Sequence, residues 1–95
     1  MDRIILHVYY NGENGAAETF VREMAASGIQ QEVKAEAGCL QYDYFVPVEG
    51  GNTVLLLEGW KDAESLSAHS CGEVMKKIKA AKEKYGVITE IEKYC

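Results

Sequence analysis

The chain lacks any apolar run approaching the ~20 residues that a membrane-spanning helix requires. Its opening, Met1-Asp2-Arg3, lacks the basic-then-apolar order of a secretion signal. These two absences predict a cytoplasmic protein with no membrane partner. Cations are also scarce: 10 Lys and Arg stand against 15 Asp and Glu, a net charge of −5. A field of that sign repels phosphate backbones, so nucleic acid is excluded as a partner. Cysteine is sparse and unpatterned. Cys39, Cys71 and Cys95 are odd in number and share no metal-ligand spacing, which predicts reduced thiols. No glycine motif that could cradle a phosphate is present, nor any clustered ligand set, so no metal, flavin or haem cofactor is expected. Internal repeats, linkers and biased tracts are missing too, and 95 residues suffice for one core but not two. Residues 1–95 therefore read as a single domain.

Arg3 to Tyr10 is rich in β-branched and aromatic residues and stops at the turn signal Asn11-Gly12, which predicts a first strand. From Ala16 the spacing turns helical, with Ala17, Phe20, Val21, Met24 and Gly28 on one stripe. Ile29 and Val33 lie on a shifted stripe, so the helix breaks near Ser27-Gly28 and ends by Gly38. Cys39 to Val46 predicts a second strand, with Leu40, Tyr42, Tyr44 and Val46 on one face. Pro47 and Gly50-Gly51-Asn52 turn the chain into a third strand, Thr53 to Trp60, as a hairpin. Asp62 is placed to cap a short helix through His69. Ser70 with Glu73 matches a capping box opening another helix through Lys84, and Cys71 would then occupy its first turn. Val87 to Tyr94 supplies a fourth strand.

The order strand, helix, strand, strand, helix pair, strand is the ferredoxin-like βαββαβ arrangement, an α+β fold with a four-stranded antiparallel sheet. Along strand three, Val54, Leu56, Glu58 and Trp60 alternate with Thr53, Leu55, Leu57 and Gly59, so both faces are largely apolar. Helices cover one face. The other calls for a second cover, which predicts a homodimer through the sheet.

The segments Ala37-Gly38-Cys39-Leu40-Gln41-Tyr42-Asp43-Tyr44-Phe45, Leu55 to Asp62 and Leu66-Ser67-Ala68-His69 resemble the antibiotic biosynthesis monooxygenase family, over nearly the whole chain. The most specific part is the Glu-x-Trp strand end followed nine residues later by His69, with Gly-Cys-x-x-Tyr upstream. The spacing is similar to the quinol-oxidising and signal-processing branches. The resemblance implies a dimeric α/β barrel. It also implies oxidation of a small aromatic, quinol-like or enolisable substrate by O2 with no cofactor. Three departures stand beside it. Ser70-Cys71-Gly72-Glu73 replaces a Ser/Thr-Pro-His turn, Leu56 stands where one branch has asparagine, and Lys76, Lys77 and Lys79 occupy the region where the haem-degrading branch has its axial histidine.

His69 lies three residues after Leu66, so both face the sheet, where Glu58 and Trp60 also point if that is the helix-covered face. A pocket bounded by Trp60, Tyr42 or Tyr44, Glu58 and His69 is the expected site, with His69 and Glu58 catalytic and the aromatics binding substrate. Imidazole titrates in the physiological range and could accept a phenolic proton, leaving an electron-rich anion for O2. A second reading stays open, in which His69 is bonded to Glu58 and only staples helix to strand, while Trp60 is core packing. On that reading the chain is a non-catalytic ligand-binding or stress-associated dimer. Haem degradation or isomerisation are lesser alternatives. His7, on strand one, reads as structural or exposed, and without further ligands it makes no metal site with His69.

Overall fold

A computed structural model of the chain describes residues 3–94. Four strands, β1 (Ile4–Asn11), β2 (Cys39–Phe45), β3 (Thr53–Trp60) and β4 (Ile88–Tyr94), form one antiparallel sheet in the order β2-β3-β1-β4. Four helices cover one face: α1 (Ala16–Ala26), α2 (Ile29–Lys34), α3 (Ala63–Ser70) and α4 (Glu73–Tyr85). This is the ferredoxin-like arrangement.

The alternation of β3 places Val54, Leu56, Glu58 and Trp60 under the helices, all buried. Pairing carries that choice across the sheet: Tyr42 lies opposite Glu58 and Glu58 opposite Leu6, while Tyr44, Leu56 and Val8 form the next row. From α1 come Ala17, Phe20, Val21 and Met24, the stripe read from the sequence, and from α4 Ile78 and Ala81. The break read near Ser27-Gly28 is real. Gly28 takes φ 88°, a left-handed turn that ends α1 and lets α2 start on its shifted stripe, with Val33 buried.

Two local expectations are corrected. Ser70 does not cap α4, because α3 runs through it and the Cys71 N–H donates to the Ser67 carbonyl at 3.1 Å. A residue already in a helical last turn cannot adopt the extended backbone of a cap, and Gly72 (φ −85°, ψ 171°) takes that place with no side-chain bond. Cys71 accordingly sits at the carbonyl end of α3, the negative end of its dipole, and not in a first turn. The assignment of Leu40 to the Tyr42 face also fails. Cys39 pairs with Trp60 and Gln41 with Gly59, so Leu40 is the extra residue of a β-bulge, 55% exposed, and Cys39 joins Tyr42 and Tyr44 on the helix side. Cys95 lies outside the described residues.

Asp62 does cap α3, its carboxylate accepting from the Ser65 N–H at 2.8 Å. Ahead of β2, Gly38 (φ 82°) packs so closely on α3 that a Cβ there would fall 2.5 Å from the Ser65 Cβ. Its carbonyl accepts from the Lys61 N–H at 2.8 Å. Gly38→Ala is expected to cost about 2–4 kcal/mol, combining left-handed backbone strain with overpacking. Urea unfolding checks it, and a loss within about 0.5 kcal/mol of zero, the ordinary range of surface substitutions, would show that α3 yields at this contact.

The uncovered face carries Ile5, His7 and Tyr9 of β1 with Leu55 and Leu57 of β3, all part-exposed. Phe45 and Leu40 at its β2 edge are exposed. The edge of β2 itself is not bare: the Gln30 side chain of α2 donates to the Tyr42 carbonyl at 3.0 Å, and Lys34 pairs with Asp43 at 2.9 Å.

Candidate functional site

β3 delivers Glu58 and Trp60 to the helix face, β2 delivers Tyr42 and Tyr44, and the last turn of α3 delivers His69. All five residues singled out in the sequence therefore meet in one region. Trp60 is fully buried, Tyr42 and His69 nearly so, and Glu58 is buried, with Tyr44 part-exposed at the outer end. The Trp60 and His69 rings stack with centroids 4.8 Å apart and an interplanar angle of 27°. Tyr42 meets the imidazole edge-on at 5.9 Å and Tyr44 meets Tyr42 in the same way at 5.9 Å.

The polar wiring removes one of the readings left open by the sequence. Glu58 is not bonded to His69; its Oε1 accepts the Trp60 indole N–H at 2.9 Å. The imidazole Nδ1 is instead 3.0 Å from Oε1 of Glu36, in the turn between α2 and β2. The other ring nitrogen, Nε2, is buried with no hydrogen-bond partner among the described residues, a costly state for a polar atom. Nothing in the sequence marked Glu36, which stands 33 positions before His69 in a turn no motif describes. His7 projects from the uncovered face, with Nδ1 3.9 Å from Glu92 and its ring on Tyr94. The sheet thus separates it from His69.

Burial dominates the electrostatics. It pushes the Glu58 carboxyl above the usual carboxylate range, with the Trp60 N–H and the His69 imidazole pulling back and Glu36 adding to the rise. The Tyr10, Tyr42 and Tyr44 phenols are all pushed up by burial and stay neutral. A carboxyl whose folded-state value is raised contributes its stability fully below the unfolded value of about 4.3 and loses it as pH rises through the folded value. Glu58→Gln removes that loss. The variant's stability relative to the parent is expected to improve as pH climbs from about 4 toward 8, read by urea unfolding at several pH values. A difference independent of pH would show that Glu58 ionises as freely folded as unfolded.

Comparison with known proteins fits this arrangement. Residues 3–81 match the sequence profile of the antibiotic biosynthesis monooxygenases. The chain belongs to that family. It is 36% identical over 67 residues to the Bacillus subtilis (strain 168) protein named Putative monooxygenase YcnE, spanning 70% of this chain and 68% of the relative. Among solved structures, PA3566 from Pseudomonas aeruginosa superposes with a TM-score of 0.82 at 25% identity, covering 99% of this chain and 93% of that one. A mutant of SnoaB, described as a cofactor-independent oxygenase from Streptomyces nogalater, superposes with a TM-score of 0.81 at 12% identity, over 100% and 93% of the two chains. At that identity the likeness to SnoaB is one of fold.

The region thus brings together a buried imidazole held at Nδ1 by a carboxylate and the rings of Trp60 and Tyr42 around it. A surface cleft of about 290 Å³, lined by Val21, Arg22, Ala25, Gln30 and Tyr44 among others, ends on the outer tyrosine. Among the described residues, no group of three or more His, Cys, Asp or Glu side chains is placed to hold a metal ion.

Proposed function

We propose that this family member is a cofactor-independent monooxygenase in which His69 Nε2 deprotonates a small aromatic, quinol-like or enolisable substrate. The observation that supports this most is the buried Nε2, without a partner among the described residues, on an imidazole set beside the Trp60 and Tyr42 rings while Nδ1 is held by a carboxylate. A substrate O–H placed at Nε2 would satisfy the orphan atom and lose its proton to it. The anion then gives one electron to O2, and the radical and superoxide combine at a ring carbon. The resulting peroxide takes a proton and expels water as the ring C–H proton leaves, so one oxygen atom enters the quinone product and the other enters water. Glu58, held toward its protonated form by burial, is the proposed donor to the peroxide. Trp60 and Tyr42 flank the bound ring. Tyr44 lines the cleft and meets Tyr42, which meets His69 edge-on, so access of a substrate from the cleft to His69 requires the Tyr44 ring to move.

The same proposal includes a homodimer through the uncovered sheet face, which carries the apolar side chains Ile5, Leu55, Leu57 and Phe45. Light scattering at micromolar concentration is expected to give twice the chain mass, and Leu57→Arg the single mass. A parent protein at the single mass would remove the dimer.

The activity test is oxygen uptake with 1,4-naphthohydroquinone and 18O2, against the non-enzymatic background. One labelled oxygen per product molecule is expected. Uptake no faster than background across quinol and phenol probes would leave the ligand-binding reading in its place.

A further inference from the structure

We propose that Glu36, which neither the sequence motifs nor the family match singles out, is the positioning residue of this site: it holds His69 as the Nδ1–H tautomer and keeps Nε2 as the lone-pair nitrogen. The inference rests on the reading of His69 as the base and adds the group that makes it one.

The two buried rings are each tied to a different carboxylate. Glu58 holds the Trp60 N–H and makes no hydrogen bond to the imidazole, whereas Glu36 holds His69. An ionised carboxylate only accepts hydrogen bonds, and a neutral imidazole carries a single N–H. Contact at 3.0 Å with Glu36 therefore draws that proton to Nδ1 and leaves Nε2 bare. When Nε2 takes the substrate proton, the imidazolium keeps its Nδ1–H on Glu36. The positive charge then faces a carboxylate instead of an apolar wall.

The placement does not depend on a free-swinging side chain. The Glu36 N–H donates to the Val33 carbonyl at 3.0 Å and its carbonyl accepts from the Cys39 N–H at 3.1 Å. Two residues on, Gly38 is bonded to Lys61 and pressed against Ser65 of α3, the helix that carries His69. The turn bearing the carboxylate is thus tied by a backbone bond to Lys61, two residues before the helix bearing the imidazole, and packs on the Ser65 side chain of that helix. Glu36 itself remains a quarter exposed, so removing its carboxylate opens no core cavity.

Nitrogen-15 NMR of the histidine-labelled chain tests the tautomer without any substrate. The parent is expected to show one Nδ1-protonated form for His69, and Glu36→Ala to lose it in favour of the other tautomer or a mixture. With 1,4-naphthohydroquinone and O2, Glu36→Ala is expected to lower kcat about 10–100-fold, the usual span for losing an orienting carboxylate, with KM little changed. Glu36→Asp should recover part of both readouts, which a merely structural role would not require. A parent tautomer protonated at Nε2, or one unchanged in Glu36→Ala, overturns the inference. So does full kcat in Glu36→Ala while His69→Ala is inactive. If His69→Ala itself retains full turnover, the base reading has failed, and the NMR arm still reports separately whether Glu36 sets the imidazole.

Discussion

His69→Ala is expected to lower turnover on a quinol or phenolic substrate by roughly 10²–10⁴-fold, the range for removing one positioned proton acceptor. The imidazole is buried and its Nε2 has no bond to lose among the described residues, so the variant forfeits the contact to Glu36, the stack on Trp60 and the edge contact with Tyr42. Glu36 is partly exposed and can turn to water once released. Stability should therefore fall by only about 1–3 kcal/mol, mostly from the lost ring volume. A staple would give the reverse pattern, a large loss of stability with activity falling only in proportion to unfolded protein. Measuring kcat per folded molecule and the urea midpoint on the same variant separates the two. Unchanged kcat would move the assignment to a ligand-binding dimer.

The largest loss of stability is expected from Trp60→Ala. The indole is fully buried, stacks on His69 and neutralises the hydrogen-bonding need of Glu58. Truncation removes a side chain of the kind whose loss costs about 3–5 kcal/mol and leaves a buried carboxyl without its donor. For a domain of this size each kcal/mol lowers the melting temperature by roughly 4–8 °C, so the transition should fall by tens of degrees. Trp60→Phe keeps an aromatic wall but not the N–H, and should cost about 1–3 kcal/mol. If both variants melt within about 5 °C of the parent, Trp60 is not the anchor its burial implies.

The fold was legible because its signals are local and repeated. Alternation along β3 assigned Val54, Leu56, Glu58 and Trp60 to one side, and one glycine explained why the first helical stripe slips at residue 28. That Tyr42 and Tyr44 share a face followed from the same alternation, but strand phase alone left open whether that face meets the helices or the uncovered side, which the pairing with Glu58 and Leu56 decides. What failed was set by tertiary structure. The bulge at Leu40 breaks the alternation at one residue, and the sequence shows nothing but an ordinary strand there. Ser70 matched a cap pattern but was already spent in α3. The partner of His69 was not legible because Glu36 reaches it across 33 positions from a turn, where neither helical nor strand phase carries information.

The side-chain amide of Gln30 on the Tyr42 carbonyl has a bearing on how the molecule meets its own copies. The outer strand of a sheet is a template on which foreign strands can polymerise. At β2 an incoming strand would have to evict that amide and break the Lys34–Asp43 pair beside it. At the opposite border, β4 presents Glu90, Glu92 and Lys93, side chains that resist stacking into a ribbon. Both borders are thus blunted against runaway fibre growth, and the greasy flat of the sheet is the surface on which the proposed dimer would close as a finite, self-limiting assembly.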